Sequence, residues 1–118
     1  MTAPRPRKRL SPEAFRRDVL TWALRLGVTP RGMYLQRMTR KWGSCSAGGR
    51  VVFAAALLGE SPEFRTAVVV HELLHLAVRN HGKLFKSLMS AYVPGWQALA
   101  CDRERTACAA GRQGLRSG

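Results

Sequence analysis

The sequence predicts one small α+β domain: an N-terminal helix, a three-stranded antiparallel sheet, a long apolar helix and further C-terminal helices. Three observations carry this expectation. A chain of 118 residues that is 46% apolar supports one core but not two. The tripeptide Ser-Pro-Glu occurs at Ser11 and again at Ser61, each time opening a stretch with helical apolar spacing. Between those stretches lie short runs with strand character, separated by Pro- and Gly-containing turns.

Residues 1–10 place Pro4 and Pro6 among arginines and read as a flexible basic arm; residues 11–110 form the domain and 111–118 a Gly- and Arg-rich tail. Ser11 is an N-cap, Pro12 suits the first helical position, and Glu13 complements the positive end of the helix. Phe15, Val19, Trp22 and Leu26 follow on one helical face, and Gly27 ends the helix. After the turn Thr29–Gly32, Met33 to Met38 reads as a strand; Trp42–Ser46 and Arg50–Ala56 flank Ala47-Gly48-Gly49 as a hairpin. Arg50–Ala56 is the expected exposed edge of the sheet. The second Ser-Pro-Glu opens a helix expected to run from Pro62 to Arg79. Lys83–Tyr92 is a third helix, broken by Pro94 and Gly95, and Trp96–Ala110 a fourth, which offers Leu99, Cys101 and Cys108 to the core.

The chemistry is concentrated in His71-Glu72-Leu73-Leu74-His75, with His81 six residues on. Residues four apart on a helix share a face, so the imidazoles of His71 and His75 converge on one ion, and Glu72 stands beside it where a general base is needed. Catalytic zinc sites have three protein ligands and an open position, and His81 is the third. Were the helix to continue, His81 would point about 120° away from that face, so the chain must turn back. Asn80 and Gly82 tolerate the left-handed backbone that ends helices. The chain has three histidines and all belong to this group. Burying two imidazoles and a carboxylate among Val68–Val70, Leu73, Leu74 and Leu76 without a partner costs several kcal/mol, a penalty that a bound metal removes.

The net charge of +13 is not confined to the ends: residues 10–108 carry 14 basic and 7 acidic side chains. Such a charge attracts polyanions, nucleic acid first among them; the alternative is an arginine-rich composition that only solvates the surface, and no nucleic-acid motif with interleaved aromatics is present. Three cysteines without Cys-x-x-Cys spacing read as buried thiols in a reducing compartment. No apolar h-region follows the basic arm and no apolar run approaches a membrane span, so a cytoplasmic location is the expectation.

Three blocks, Arg40-Lys41-Trp42-Gly43-Ser44-Cys45, Val68 to Leu76, and Asn80-His81-Gly82-Lys83-Leu84-Phe85, resemble in order the YgjP-like metallopeptidases, relatives of the SprT-like (Spartan) group. The likeness covers about residues 12–97. It implies a small zincin-like domain in which His71, His75 and His81 bind Zn2+ and Glu72 is the catalytic base. The histidine spacing also equals that of the metzincins, but Val78 stands where their motif has glycine. Lys86 replaces a tryptophan that often follows the phenylalanine of the third block, and the chain resembles the catalytic half of larger family members.

The expectation is therefore a zinc-dependent hydrolase of peptide bonds, acting on a protein or peptide and, through its charge, on nucleic-acid-associated proteins. Two other readings fit the same ligands: a metal-dependent phosphoanhydride or phosphoester hydrolase, and a non-catalytic basic module with structural zinc. Tyr34, Tyr92, Arg40 and Arg79 are the candidates for steadying an oxyanion, each with packing or surface exposure as the simpler role. Trp42 reads as a core anchor and Cys45 as a small buried thiol, with an inhibitory metal ligand as the sharper reading of Cys45. Oligomeric state is not legible at this level.

Overall fold

In a computed structural model residues 9–99 are described. Three α-helices and one three-stranded sheet follow in the order α1 (Pro12–Leu26), β1 (Gly32–Gln36), β2 (Gly43–Cys45), β3 (Arg50–Ala54), α2 (Pro62–Leu74) and α3 (Lys83–Tyr92). A 3-10 turn over Ala55–Gly59 links β3 to α2.

Local chemistry sets the helix starts. Ser11 Oγ accepts from the Ala14 N–H at 3.1 Å and Ser61 Oγ from the Phe64 N–H at 3.2 Å, each satisfying a donor that the first helical turn leaves free. Helix α1 ends at Gly27, whose φ of 74° lets Gly27 and Val28 donate back to Leu24 and Ala23. Phe15 and Val19 are buried and Ala23 joins them, while Trp22 and Leu26 are partly buried and bridge the two apolar clusters. The larger cluster gathers α1, the sheet and one face of α2 around Phe15, Phe53 and Leu73; the smaller joins α2 to α3 through Val70, Leu74, Phe85 and Met89.

The sheet corrects the expected pattern. Its order is β1-β3-β2: β2 pairs antiparallel with β3, as the hairpin requires, but β1 pairs parallel with β3, Met33 opposite Val51. The sheet is mixed, and Arg50–Ala54 is its centre rather than its edge. The composition explains the placement. Val51, Phe53 and Ala54 are all buried, and the most apolar strand takes the position where both sides are hydrogen-bonded, leaving the more polar β1 and the three-residue β2 outside.

Helix α2 is also shorter than the pattern predicts. It ends at Leu74, with His75 as its C-cap, and Ala77 and Val78 both donate to the Leu74 carbonyl in the turn that follows. Nor does the return to His81 use left-handed residues. No non-glycine residue described has positive φ, Gly82 lies at −79°, and Asn80 Oδ1 instead accepts from the Gly82 N–H at 3.0 Å. The expected third helix agrees with α3 at both ends. Of the fourth, residues 96–99 are helical; its remainder, with Cys101 and Cys108, the basic arm through residue 8 and the tail lie outside the described residues. Among the described residues no helix is long and apolar enough to cross a membrane.

Candidate metal centre

Every residue from Ala67 to His75 is buried, so the two helical histidines and Glu72 lie inside the protein, not on a surface face. His75 Nε2 is 3.0 Å from His81 Nε2, which is 3.3 Å from His71 Nε2. Two nitrogens bound to one tetrahedral zinc at about 2.05 Å are ~3.3 Å apart, so the three nitrogens stand at the spacing a shared ion requires. Among the described residues this is the group of three or more His, Cys, Asp or Glu side chains that could hold a metal ion. Cys45 is not part of it.

The ring orientations are fixed from behind. His75 Nδ1 donates to the Val78 carbonyl at 2.9 Å, which leaves the Nε2 lone pair facing the other two imidazoles. That bond also accounts for the early end of α2, because Val78 can accept it only from the turn that replaces the helix. Phe85 of α3 contacts all three rings: it stacks on His75 at 4.7 Å and meets His71 and His81 edge-on at 5.1 and 4.8 Å. The place of Phe85 beneath the imidazoles is visible only once α3 packs on α2.

The electrostatics favour neutral imidazoles. Burial, reinforced by the neighbouring His75 and His81, pushes His71 down to about 3. Burial also lowers His75, with the Val78 carbonyl opposing and His81 and Arg79 adding to the shift. Glu72 moves the other way, to about 8, because burial disfavours its carboxylate, while the positive charges of Lys41 and Arg79 pull it down. Its Oε1 is buried and has no hydrogen-bond partner among the described residues. A buried carboxylate oxygen without a partner, on the residue that follows His71, and three convergent imidazole nitrogens fit a centre completed by a metal ion and its water.

Strand β2 comes up against Glu72 at Gly43. A Cβ on that glycine would stand 2.9 Å from Glu72 Cγ and 3.2 Å from the Val52 carbonyl oxygen, so no other residue fits without displacing one of them. Gly43 and Lys41 were thus within a recognised block of sequence but had no role until the sheet brought them to the helix. The oxyanion candidates separate. Arg79 Nη1 donates to the His75 carbonyl at 3.0 Å and approaches Cys45 Sγ at 3.8 Å, beside the cluster. Tyr92 packs edge-on against Trp22, Tyr34 folds over Gly32 near Arg50, and Arg40 is exposed. Cys45 is buried in the main core, its thiol pushed up chiefly by that burial, and Trp42 meets Phe64 edge-on at 5.1 Å; both behave as packing residues.

A sequence model of the YgjP-like metallopeptidase domain matches residues 5–101. The chain belongs to the YgjP-like family. No curated protein matches it. Among solved structures, the metallopeptidase zymogen of Pyrococcus abyssi abylysin is similar, with a TM-score of 0.63 over 84% of this chain and 97% of that one. At 20% identity the likeness is one of fold. This YgjP-like chain therefore pairs a metallopeptidase fold with a three-histidine group able to hold a metal.

Proposed function

We propose that the protein is a zinc-dependent metallopeptidase in which His71, His75 and His81 hold the zinc through Nε2 and Glu72 is the general base. The observation that carries this reading is the convergence of three Nε2 atoms, together with a buried Glu72 Oε1 that has no hydrogen-bond partner among the described residues. Zinc bound there supplies a Lewis acid that lowers the pKa of bound water towards about 7 and polarises a peptide carbonyl.

The remaining work falls to the protein. Glu72 Oε1 takes the proton of the attacking water and returns it to the leaving amine nitrogen, a role suited by a carboxyl raised towards neutrality. Lys41 and Arg79 oppose the rise that burial causes. Gly43 lets the carboxylate approach β2. Because β3 is central, the edges are β1 and β2, and β2, which begins at Gly43 against Glu72, is the one on which an extended substrate would pair.

The net charge of +13 supports extending the substrate to proteins carried on nucleic acid, in the manner of the SprT-like relatives. Affinity for DNA should then fall steeply between about 50 and 200 mM salt. Arg79 next to the cluster is the observation that favours the second reading, a phosphoester hydrolase. Both are addressed by comparing zinc-loaded wild type with Glu72→Gln on casein and on p-nitrophenyl phosphate. The peptidase reading expects casein cleavage that disappears in Glu72→Gln while zinc stays bound; Glu72-dependent hydrolysis of the phosphoester alone would replace it with the second.

A further inference from the structure

Two adjoining clefts, of about 420 and 530 Å³, open at the β2–β3 turn and share Arg31, Ser46 and Gly48 as walls. Arg79 lines the first, Arg50 the second and Arg31 both, and no acidic residue lines either part. We propose that the cleft is a substrate subsite that binds an acidic side chain of the peptide, a carboxylate roughly three residues from the bond cleaved. The proposal rests on the peptidase reading above for what is cleaved, and on the cleft itself for what is bound.

Each arginine is held in place by a different contact. The Arg31 N–H donates to the Gly49 carbonyl at 2.8 Å, and its side chain crosses Gly49 so closely that a Cβ there would be 2.9 Å from Arg31 Cγ. Gly49 has φ of 94°, so glycine is required at that position twice over. The Arg50 guanidinium lies over the exposed Tyr34 ring at 5.9 Å. Arg79 is tethered through Nη1 to the His75 carbonyl, and its guanidinium carries further donors at Nη2 and Nε. Holding the Arg50 and Arg79 guanidiniums in advance lowers the entropy lost when a carboxylate binds, and a guanidinium fork matches a carboxylate in two-point geometry.

Strand β2 joins this cleft to the candidate centre. It begins at Gly43, against Glu72, and leads into Ser46, which lines both parts of the cleft. Three residues of strand cover about 10 Å. A peptide paired along the β2 edge with its scissile carbonyl at Glu72 therefore draws level with Ser46, where the cleft opens, about three positions away. The same edge argues for a peptide over a nucleic acid, because alternating backbone donors and acceptors at strand spacing match another polypeptide and not a sugar-phosphate chain.

The test uses the zinc-loaded full-length protein and quenched fluorescent peptides that differ by one residue, Asp, Ala or Lys, walked through the four positions on each side of the cleaved bond. The expected result is a kcat/KM about tenfold higher for Asp than for Ala at one position. In an Arg31→Glu/Arg50→Glu double variant, both sites being exposed, that preference should pass to Lys. Binding of the same Asp and Ala peptides to zinc-loaded Glu72→Gln, followed by anisotropy, provides a readout that needs no hydrolysis. If no peptide is cleaved but Asp-peptide binding still depends on Arg31 and Arg50, the peptidase reading fails and the subsite stands. Equal handling of Asp and Ala, or a preference unchanged by the double variant, overturns the subsite. A single-stranded oligonucleotide that displaces the Asp peptide at lower concentration than the peptide's own Kd, at physiological salt, would overturn it too and assign the cleft to nucleic acid.

Discussion

The rings of His75 and Phe85 lie almost parallel, 12° apart in plane with centroids 4.7 Å apart, and Phe85 touches the other two imidazoles at its edges. One buried phenylalanine thus sets the orientation of the whole histidine group. Truncating it should do two separable things. Phe85→Ala is expected to cost about 3–5 kcal/mol through the cavity alone. Phe85→Leu should keep the fold yet weaken zinc binding about 10- to 100-fold, because the ring that orients the ligands is gone. Thermal melting of the chelated proteins and zinc competition titrations measure the two effects independently.

Gly43→Ala tests the approach of β2 to Glu72. The added methyl must move the Glu72 side chain or the Val52 backbone, and a shift of about 1 Å at a catalytic group lowers turnover by ~100-fold. Zinc content should stay at the wild-type level. Loss of zinc in Gly43→Ala would mean that the methyl disturbs the ligands and not Glu72.

Asn80→Ala removes the acceptor for the Gly82 N–H in the turn that returns His81 to the cluster. A lost hydrogen bond of this kind is worth about 1 kcal/mol. The expected outcome is weaker zinc retention with α2 and α3 intact, read from zinc affinity alongside far-UV circular dichroism.

The pH dependence of the metal-free protein follows from two opposed shifts. His71 is lowered from 6.5 to about 3, so its contribution to stability is present above 6.5 and is lost as pH falls towards 3. Glu72 is raised from 4.5 to about 8, so its contribution is present below 4.5 and is lost as pH rises through 8. Between 4.5 and 6.5 these two oppose each other, so wild type should lose only what the lowered His75 contributes as pH falls. Removing the carboxyl exposes the histidine effect: chelated Glu72→Gln should lose about 2 kcal/mol from His71 alone between pH 6.5 and pH 5, and more with the lowered His75. Urea midpoints at the two pH values, in both proteins with chelator present, check the sign.

What could be read from the sequence was what local chemistry decides. The Ser-Pro-Glu starts at Ser11 and Ser61, the glycine stop at Gly27 and both ends of α3 depend on residues within a turn of each other, and all agree with the structure. That His71 and His75 share a face was legible from helical spacing alone, and the need for a chain reversal before His81 followed from the same geometry. Strand order was not, since which strand takes the centre depends on what the sheet buries; the β2–β3 hairpin formed as expected, but β3, more apolar than its neighbours, took the centre and paired with β1 on its other side. The end of α2 was misplaced for a related reason: the His75–Val78 bond and the pull of His81 act only after the chain has folded back. Phe85, Gly43, Lys41 and the arginines of the turn gain their meaning from contacts between elements distant in sequence, which no periodicity encodes.

The central claim is that three imidazoles, and no thiolate, hold zinc beside Glu72. X-ray absorption at the zinc edge of the protein tests it most directly. The expected spectrum has three imidazole nitrogens and one further light-atom ligand at about 2.0 Å. A sulfur shell at about 2.3 Å, which would bring Cys45 or another thiol into the centre, or the failure of the protein to bind zinc at all, would contradict the account.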